Sequence, residues 1–261
     1  MRRGALSFLA KADRAAVLPR LGGMARPDGV VIVSERFWAF AGVDGSVREG
    51  EMPRLPQQVT GVPLLRGLGR LAAAMAPLFR GRGVAGGRER LLLLAALLAP
   101  LGLVFAPHVY GLVGGFAVTA VLAVWLFRGR TLRLHGAEHR AIAAAEERRL
   151  EATWKGLARP SRFAPRCGTN FAALAVPIAV AGDRVWPLAA AFYTPAIVTV
   201  LSLALTMEIW RVVQSARGWR RLFLLPGLGL QRLTTREPRL QDTRVALTAV
   251  ESVLRREFAS S

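Results

Sequence analysis

Cysteine and histidine are scarce in this chain: one Cys, at 167, and three His, at 108, 135 and 139. A single thiol excludes an intramolecular disulfide framework and any zinc ribbon built on paired C-x-x-C motifs. Acidic residues are also few, 17 against 36 basic ones, which leaves a formal net charge of +19. That balance alone would suggest a nucleic-acid binder. No RNA- or DNA-binding motif is legible, however, and the arginines sit beside apolar blocks, so nucleic acid is not an expected partner. There is no low-complexity tract and no internal repeat beyond two apolar blocks. The N-terminal MRRGALSFLAKADR begins like a signal peptide, but Lys11 cuts its apolar stretch to about six residues, shorter than an h-region. It reads as an uncleaved amphipathic or disordered start.

Long hydrophobic runs are what the chain does have. It is 52% hydrophobic despite its charge, and its mean hydropathy is +0.34. Membrane proteins combine these properties by placing apolar blocks between arginine clusters. Residues 91–127 are almost continuously apolar, with His108 their one ionisable group. As a single helix they would extend roughly 55 Å, against a hydrocarbon core of roughly 30 Å. The APHVYG stretch, 106–111, supplies a turn, giving spans near 91–106 and 109–127. A second block, 171–207, broken by AGDRV around Asp183 and Arg184, gives a second hairpin with a short first arm. Pro177, Pro187 and Pro195 should kink or interrupt its helices. Arginines cluster before and after each hairpin, whereas the two turns hold only Arg184. The positive-inside rule then places both termini and the central segment 128–170 in the cytoplasm. Trp125, Trp186 and Trp210 fall near the expected span ends. The expected fold class is therefore mainly α: a polytopic membrane protein with about four transmembrane helices as two hairpins, a small N-terminal β element and cytoplasmic helices.

The segments around the hairpins divide as follows. Residues 1–60 form a cytoplasmic N-terminal region. Within it, Asp28-Gly29 and Asp44-Gly45 punctuate β-branched and aromatic runs, which predicts a β-hairpin or three-stranded sheet over 25–51. Residues 61–83 have a helical apolar period with Arg66 and Arg70 on one side. They read either as an amphipathic helix in the membrane interface or as a helix packed on the rest of the protein. Residues 208–261 form a cytoplasmic C-terminal segment ending in an amphipathic helix with a solvated charged face.

His135, Glu138 and His139 spell H-x-x-E-H in TLRLHGAEHRAIAAAEE, a stretch rich in helix formers. On a helix the two imidazoles share a face one turn apart, and the face continues to Glu146. A His pair at that spacing offers two metal ligands without backbone strain. A neighbouring carboxylate can take a proton from water activated by a metal, and the reversed zincin order H-x-x-E-H occurs in inverzincins. Glu138 is thus the candidate general base. Polar contacts to headgroups or loops would explain the pair equally well. Cys167, in FAPRCGTNF, and Glu208, in TMEIWR, are the candidates for a further ligand. Alternatively, Cys167 is a small buried hydrophobe, Glu208 reaches for water and Glu146 is solvated. His108 lies across the expected bilayer and is excluded.

HGAEHRAI followed by Glu146, then RFAPRCGTNF, then PGLGLQRLTTREP, resembles the YqhQ-type family of bacterial membrane proteins, a domain of unknown function whose members are labelled predicted metal-dependent enzymes. ARPDGVVIV and GVPLLRG resemble its N-terminal signatures, so the likeness runs from about Met24 to the C-terminus. The resemblance implies that His135, Glu138, His139, Glu146, Arg166, Cys167, Gly168 and Thr169 match the family pattern, and that the protein sits in a bacterial cytoplasmic membrane. Two departures stand out. Ala164 occupies a position where the family usually has His, and LPRLGGMAR replaces an acidic Glu-Gly-Val stretch. Loss of a ligand at 164 would imply a weakened or inactive site.

Two functions follow from these readings. One is a metal-dependent enzyme, hydrolytic, with its site at the cytoplasmic face. His135, His139 and Cys167, Glu208 or Glu146 would hold a divalent metal, zinc by preference, while Arg166 and Arg162 bind an anionic or lipid-linked substrate. The other is a non-catalytic assembly or scaffold protein with a structural metal or polar cluster. Membrane lipid, and a homo-oligomer or larger membrane complex, are the expected partners.

Overall fold

The computed structural model of the chain describes residues 2–79, 83–91, 129–188, 193–214 and 218–260, with isolated positions between 94 and 121. Among these, the elements in chain order are α1 (Arg2–Asp13), β1 (Gly22–Arg26), β2 (Gly29–Val33), β3 (Phe37–Gly42), β4 (Val47–Glu51), α2 (Gln57–Gly61), α3 (Leu65–Phe79), α4 (Gly129–Glu146), α5 (Leu150–Lys155), α6 (Gly168–Arg184), α7 (Thr194–Val213), a 3-10 segment Gly218–Leu224, α8 (Leu225–Thr234) and α9 (Leu240–Ala259). They form two compact units. One comprises Met1–Arg54, Leu126–Cys167 and Leu228–Ser261; the other comprises Leu55–Trp125 and Gly168–Gly227.

The first unit is built on an antiparallel meander in the order β1-β2-β3-β4. Turn residues at Pro27-Asp28 and Asp44-Gly45 break a run rich in Val, Ile, Phe and Trp, so the chain folds back at each of them. Val30 pairs with Ala41 and Ile32 with Ala39. These four side chains, all essentially inaccessible, form one face of the sheet. The alanines leave room for helices, and α4 and α9 both pack there. On α9, Ala246, Leu247, Val250, Val253 and Leu254 recur at helical spacing and are fully buried. On α4, Leu134, Ala137, Ala141, Ala144 and Ala145 do the same. The Asp13 carboxylate at the end of α1 accepts from the Leu150 and Glu151 amides at 2.9 and 3.0 Å, satisfying exposed donors at the start of α5. Glu257 anchors the far end of α9 to the β2–β3 turn by accepting from Ser34 Oγ at 2.6 Å and Arg36 Nε at 2.8 Å.

In the second unit α7 packs against α6 and α3, and α2 against α3. The Arg66 guanidinium on α3 clasps the Glu208 carboxylate on α7 at 2.5 and 3.0 Å. That ion pair joins α3 to α7 through the charged side of α3.

The structure corrects the expected fold class. Helices stand beside a four-stranded antiparallel sheet, and a polytopic architecture with about four transmembrane helices is not what the described residues form. Among them one helix, α7, is long and apolar enough to cross a membrane. The first arm of the second hairpin becomes α6, a helix of 17 residues that carries Pro177 and ends on Asp183 and Arg184, and it is not among the helices long and apolar enough to cross a membrane. Most of 91–127, the first hairpin, lies outside the described residues. The N-terminal β element is larger than expected, because β1 begins at Gly22 and pairs along its whole length with β2.

Candidate metal centre

Helix α4 places His135 and His139 one turn apart with ring centroids separated by 4.5 Å, edge to face. Each imidazole is fixed through Nδ1. That of His135 donates to the Thr234 carbonyl at 2.8 Å and that of His139 to the Arg162 carbonyl at 2.6 Å. Both rings thereby carry their proton on Nδ1 and keep the Nε2 lone pair available, the tautomer a metal needs. Burial lowers the His135 pKa against the opposing pull of the Thr234 carbonyl. Burial, with the field of His135 second, drives His139 down to about 3. Neutral imidazoles are therefore the resident form.

Cys167 completes the group. Its Sγ lies 3.2 Å from His135 Nε2, and the residue is 7% exposed. The loop that carries it is clamped by the fully buried Gln231. That side chain accepts from the Ala164 amide at 2.9 Å and donates to the Ala164 carbonyl at 2.8 Å. His135, His139 and Cys167 each offer one ligand atom, all within 4.8 Å of one another. Around one tetrahedral ion with zinc-like bond lengths, such atoms stand about 3.3–3.6 Å apart. A closure of about 1 Å would suffice.

The donor set fits a metal on a further observation. His139 Nε2 is buried and makes no hydrogen bond. An unmet buried acceptor costs about 1–3 kcal/mol, and a cation between the three groups would satisfy it. The group can hold a metal ion.

Glu138 faces the same place from the other side of the motif. Its Oε2 is 4.0 Å from His135 Nε2, and burial pushes its carboxyl up to about 8. Gly23 on β1 makes room for it, since a β-carbon there would come within 2.9 Å of Glu138 Cγ and Oε1. A cavity of about 50 Å³ opens beside these residues, lined by Glu138, His139 and Cys167 together with Gly22, Gly23 and Arg166. This is room for a water or two.

The other residues marked from sequence distribute as follows. Arg166 and Glu146 pair with each other and both line the cavity. Burial, and the nearby Arg20 charge, lower the Arg166 pKa. Arg162 contributes its carbonyl to His139. Its guanidinium reaches the Thr235 carbonyl at 3.4 Å and lies over the Phe163 ring. Glu208 is not part of the group; it belongs to the second unit and is held by Arg66. Ala164 also lines the cavity. His108 lies outside the described residues. Sequence reasoning missed Thr234, Gln231 and Gly23. The first two fall inside PGLGLQRLTTREP, a stretch noticed only as part of a resemblance.

Fold and site together define an α+β protein in which two imidazoles on a helix beneath a sheet edge meet a thiol from a loop. Residues 118–256, which are 139 of 261, match the family described as "Protein of unknown function (DUF1385)", and the chain belongs to that family. It is 32% identical over 139 residues to "Uncharacterized protein YqhQ" of Bacillus subtilis (strain 168), a match that covers 50% of this chain and 42% of that protein. The chain therefore spans less than half the length of this relative. No solved structure matches it significantly.

Proposed function

We propose that this protein is a metal-dependent hydrolase centred on His135, His139 and Cys167, with Glu138 as general base. The observation that carries the reading is the buried, unbonded Nε2 of His139 beside two further ligand atoms. Two imidazoles and a thiolate favour zinc. When bound, such an ion supplies the Lewis acidity that makes water nucleophilic near neutral pH. Glu138, protonated at neutral pH without a cation, ionises once one sits nearby; its carboxylate can then take a proton from the attacking water and return it to the leaving group. Arg166 can exchange Glu146 for an anionic group on the substrate, because the two already pair at the cavity. The poorly covered apolar surface of α7, with Val200, Leu201, Leu205 and Val212 exposed, supports attachment to the bacterial cytoplasmic membrane through that helix.

Elemental analysis of the purified protein tests the centre. About one metal ion per chain is expected for three protein ligands at one site, lost when His135→Ala and His139→Ala are combined. Equal metal content in both proteins would refute it.

A non-catalytic assembly role with a structural metal is the second reading. The 4.0 Å separation of Glu138 from His135 favours it, since a small rotation would supply a fourth ligand and close the site. Stoichiometric co-purification with a larger complex, together with loss of metal affinity in Glu138→Gln as large as in His139→Ala, would select it.

A further inference from the structure

The sheet has two edges, and they are built differently. The bond from the Ser34 amide to the Phe37 carbonyl at 2.8 Å closes the β2–β3 turn. It sets the parity of the meander: Val30 and Ile32 bond toward β3, so Val31 and Val33 bond toward β1. Their partners on β1 are Met24 and Gly22. Gly23 and Ala25 therefore turn their amide and carbonyl outward, away from β2. No described residue hydrogen-bonds to those outward groups. By the same parity the outward residues of β4 include Glu49 and Glu51. That edge also carries Arg48, and such charges oppose the addition of another strand. The β1 edge has no such defence. Gly22 and Gly23 present no side chain, Gly23 is exposed, and the single arginine, Arg26, is folded back onto Asp28 at 3.0 Å.

The open edge also borders the candidate metal centre. Gly22 and Gly23 line the same cavity as Glu138, His139 and Cys167. Glycine on an edge strand lets a second backbone approach closely. A ligand that meets alternating amides and carbonyls along one line is itself an extended peptide.

We propose that β1 is the docking strand for an extended peptide, which adds to the sheet antiparallel or parallel beside Gly23 and Ala25 and brings one of its peptide bonds over Glu138 and the His135–His139–Cys167 group. Arg166, with the Arg20 charge nearby, favours an acidic side chain or a terminal carboxylate on that peptide. The fate of the peptide rests on the hydrolase reading: water's oxygen joins the carbonyl carbon, the C–N bond breaks, and water's protons end on the new amine and carboxyl groups. Docking itself needs only the strand edge.

Hydrogen exchange on the full chain, metal-free and zinc-loaded, separates the two claims. The probe is a pool of short, unstructured peptides of randomised sequence. The amides of Gly23 and Ala25 should exchange at least about tenfold more slowly with the pool present, while Glu49 and Glu51 on the other edge stay unchanged. No slowing at Gly23 and Ala25, or equal slowing at both edges, overturns the proposal. Zinc content is read on the same samples. Slowing without zinc uptake supports the docking strand and defeats the hydrolase; zinc uptake without slowing overturns the docking strand and leaves the metal centre standing.

Discussion

Gly136 and the Arg236 carbonyl occupy the same patch of space: a β-carbon at 136 would overlap that oxygen and lie 3.3 Å from Pro238 Cδ. The chain leaving α8 crosses α4 at this point, and the Arg236 amide donates to the Leu132 carbonyl at 2.9 Å. The crossing holds Thr234 where its carbonyl can accept from His135. The glycine of H-G-A-E-H thus positions an imidazole without touching it.

Gly136→Ala should therefore act on stability and on the site together. The obstruction is backbone, which cannot rotate away, so a loss of about 1–3 kcal/mol is expected from overpacking. Urea denaturation measures it. A parallel zinc titration should show weaker binding, because Thr234 must shift. Unchanged stability with unchanged affinity would mean the crossing is soft.

Gln231→Ala should loosen the loop that delivers Cys167. Two buried hydrogen bonds to Ala164 disappear, at a cost of about 1–3 kcal/mol. Zinc affinity should fall more than in a surface control such as Gln57→Ala, where the residue is exposed. Equal affinity in the two variants would show that the loop holds itself.

The metal-free protein should respond to pH in two opposed ways. Glu138 has its carboxyl raised from 4.5 to about 8 in the fold. Its contribution is therefore complete below about pH 4.5 and is lost as pH rises through about 8. His139 is lowered from 6.5 to about 3. Its contribution is complete above about pH 6.5 and is lost as pH falls through about 3. As far as these two groups go, stability should be flat between about 4.5 and 6.5 and decline on either side. Chemical denaturation across that range reads it directly, and Glu138→Gln should abolish the decline above about pH 6.5 and turn the plateau between about 4.5 and 6.5 into a rise, because the His139 slope is then uncompensated. A variant that still weakens from pH 6.5 to 8 as wild type does would assign that decline to another group.

The centre was partly legible in the sequence because a helix repeats its face every three to four residues. His135 and His139 announce their own proximity, and α9 announces its buried face by the spacing of Leu247, Val250 and Leu254. Nothing local announces that Thr234 lies against His135, 99 residues away, or Gln231 against Ala164, 67 away. Those contacts depend on how the segment after α8 crosses α4. Glu208 was drawn toward the centre by an inferred membrane depth, yet its partner is Arg66, 142 residues away. The threading failed for a related reason. A span needs an unbroken apolar helix of sufficient length, and α6, the first arm of the second hairpin, has 17 residues and ends on Asp183 and Arg184. The sheet exceeded expectation because the glycines of β1 carry little strand signal, and Gly23 is there for the sake of Glu138.

Cobalt(II) titration tests the central claim most directly, since a thiolate bound to cobalt gives a charge-transfer absorption that imidazoles and carboxylates do not. Wild-type protein should develop that band together with the strong visible absorption of a four-coordinate ion, saturating at about one equivalent. Cys167→Ser should lose the charge-transfer band, and His139→Ala should weaken binding. A wild-type spectrum without the band, or one that survives in Cys167→Ser, would contradict the assignment of His135, His139 and Cys167 as a metal centre.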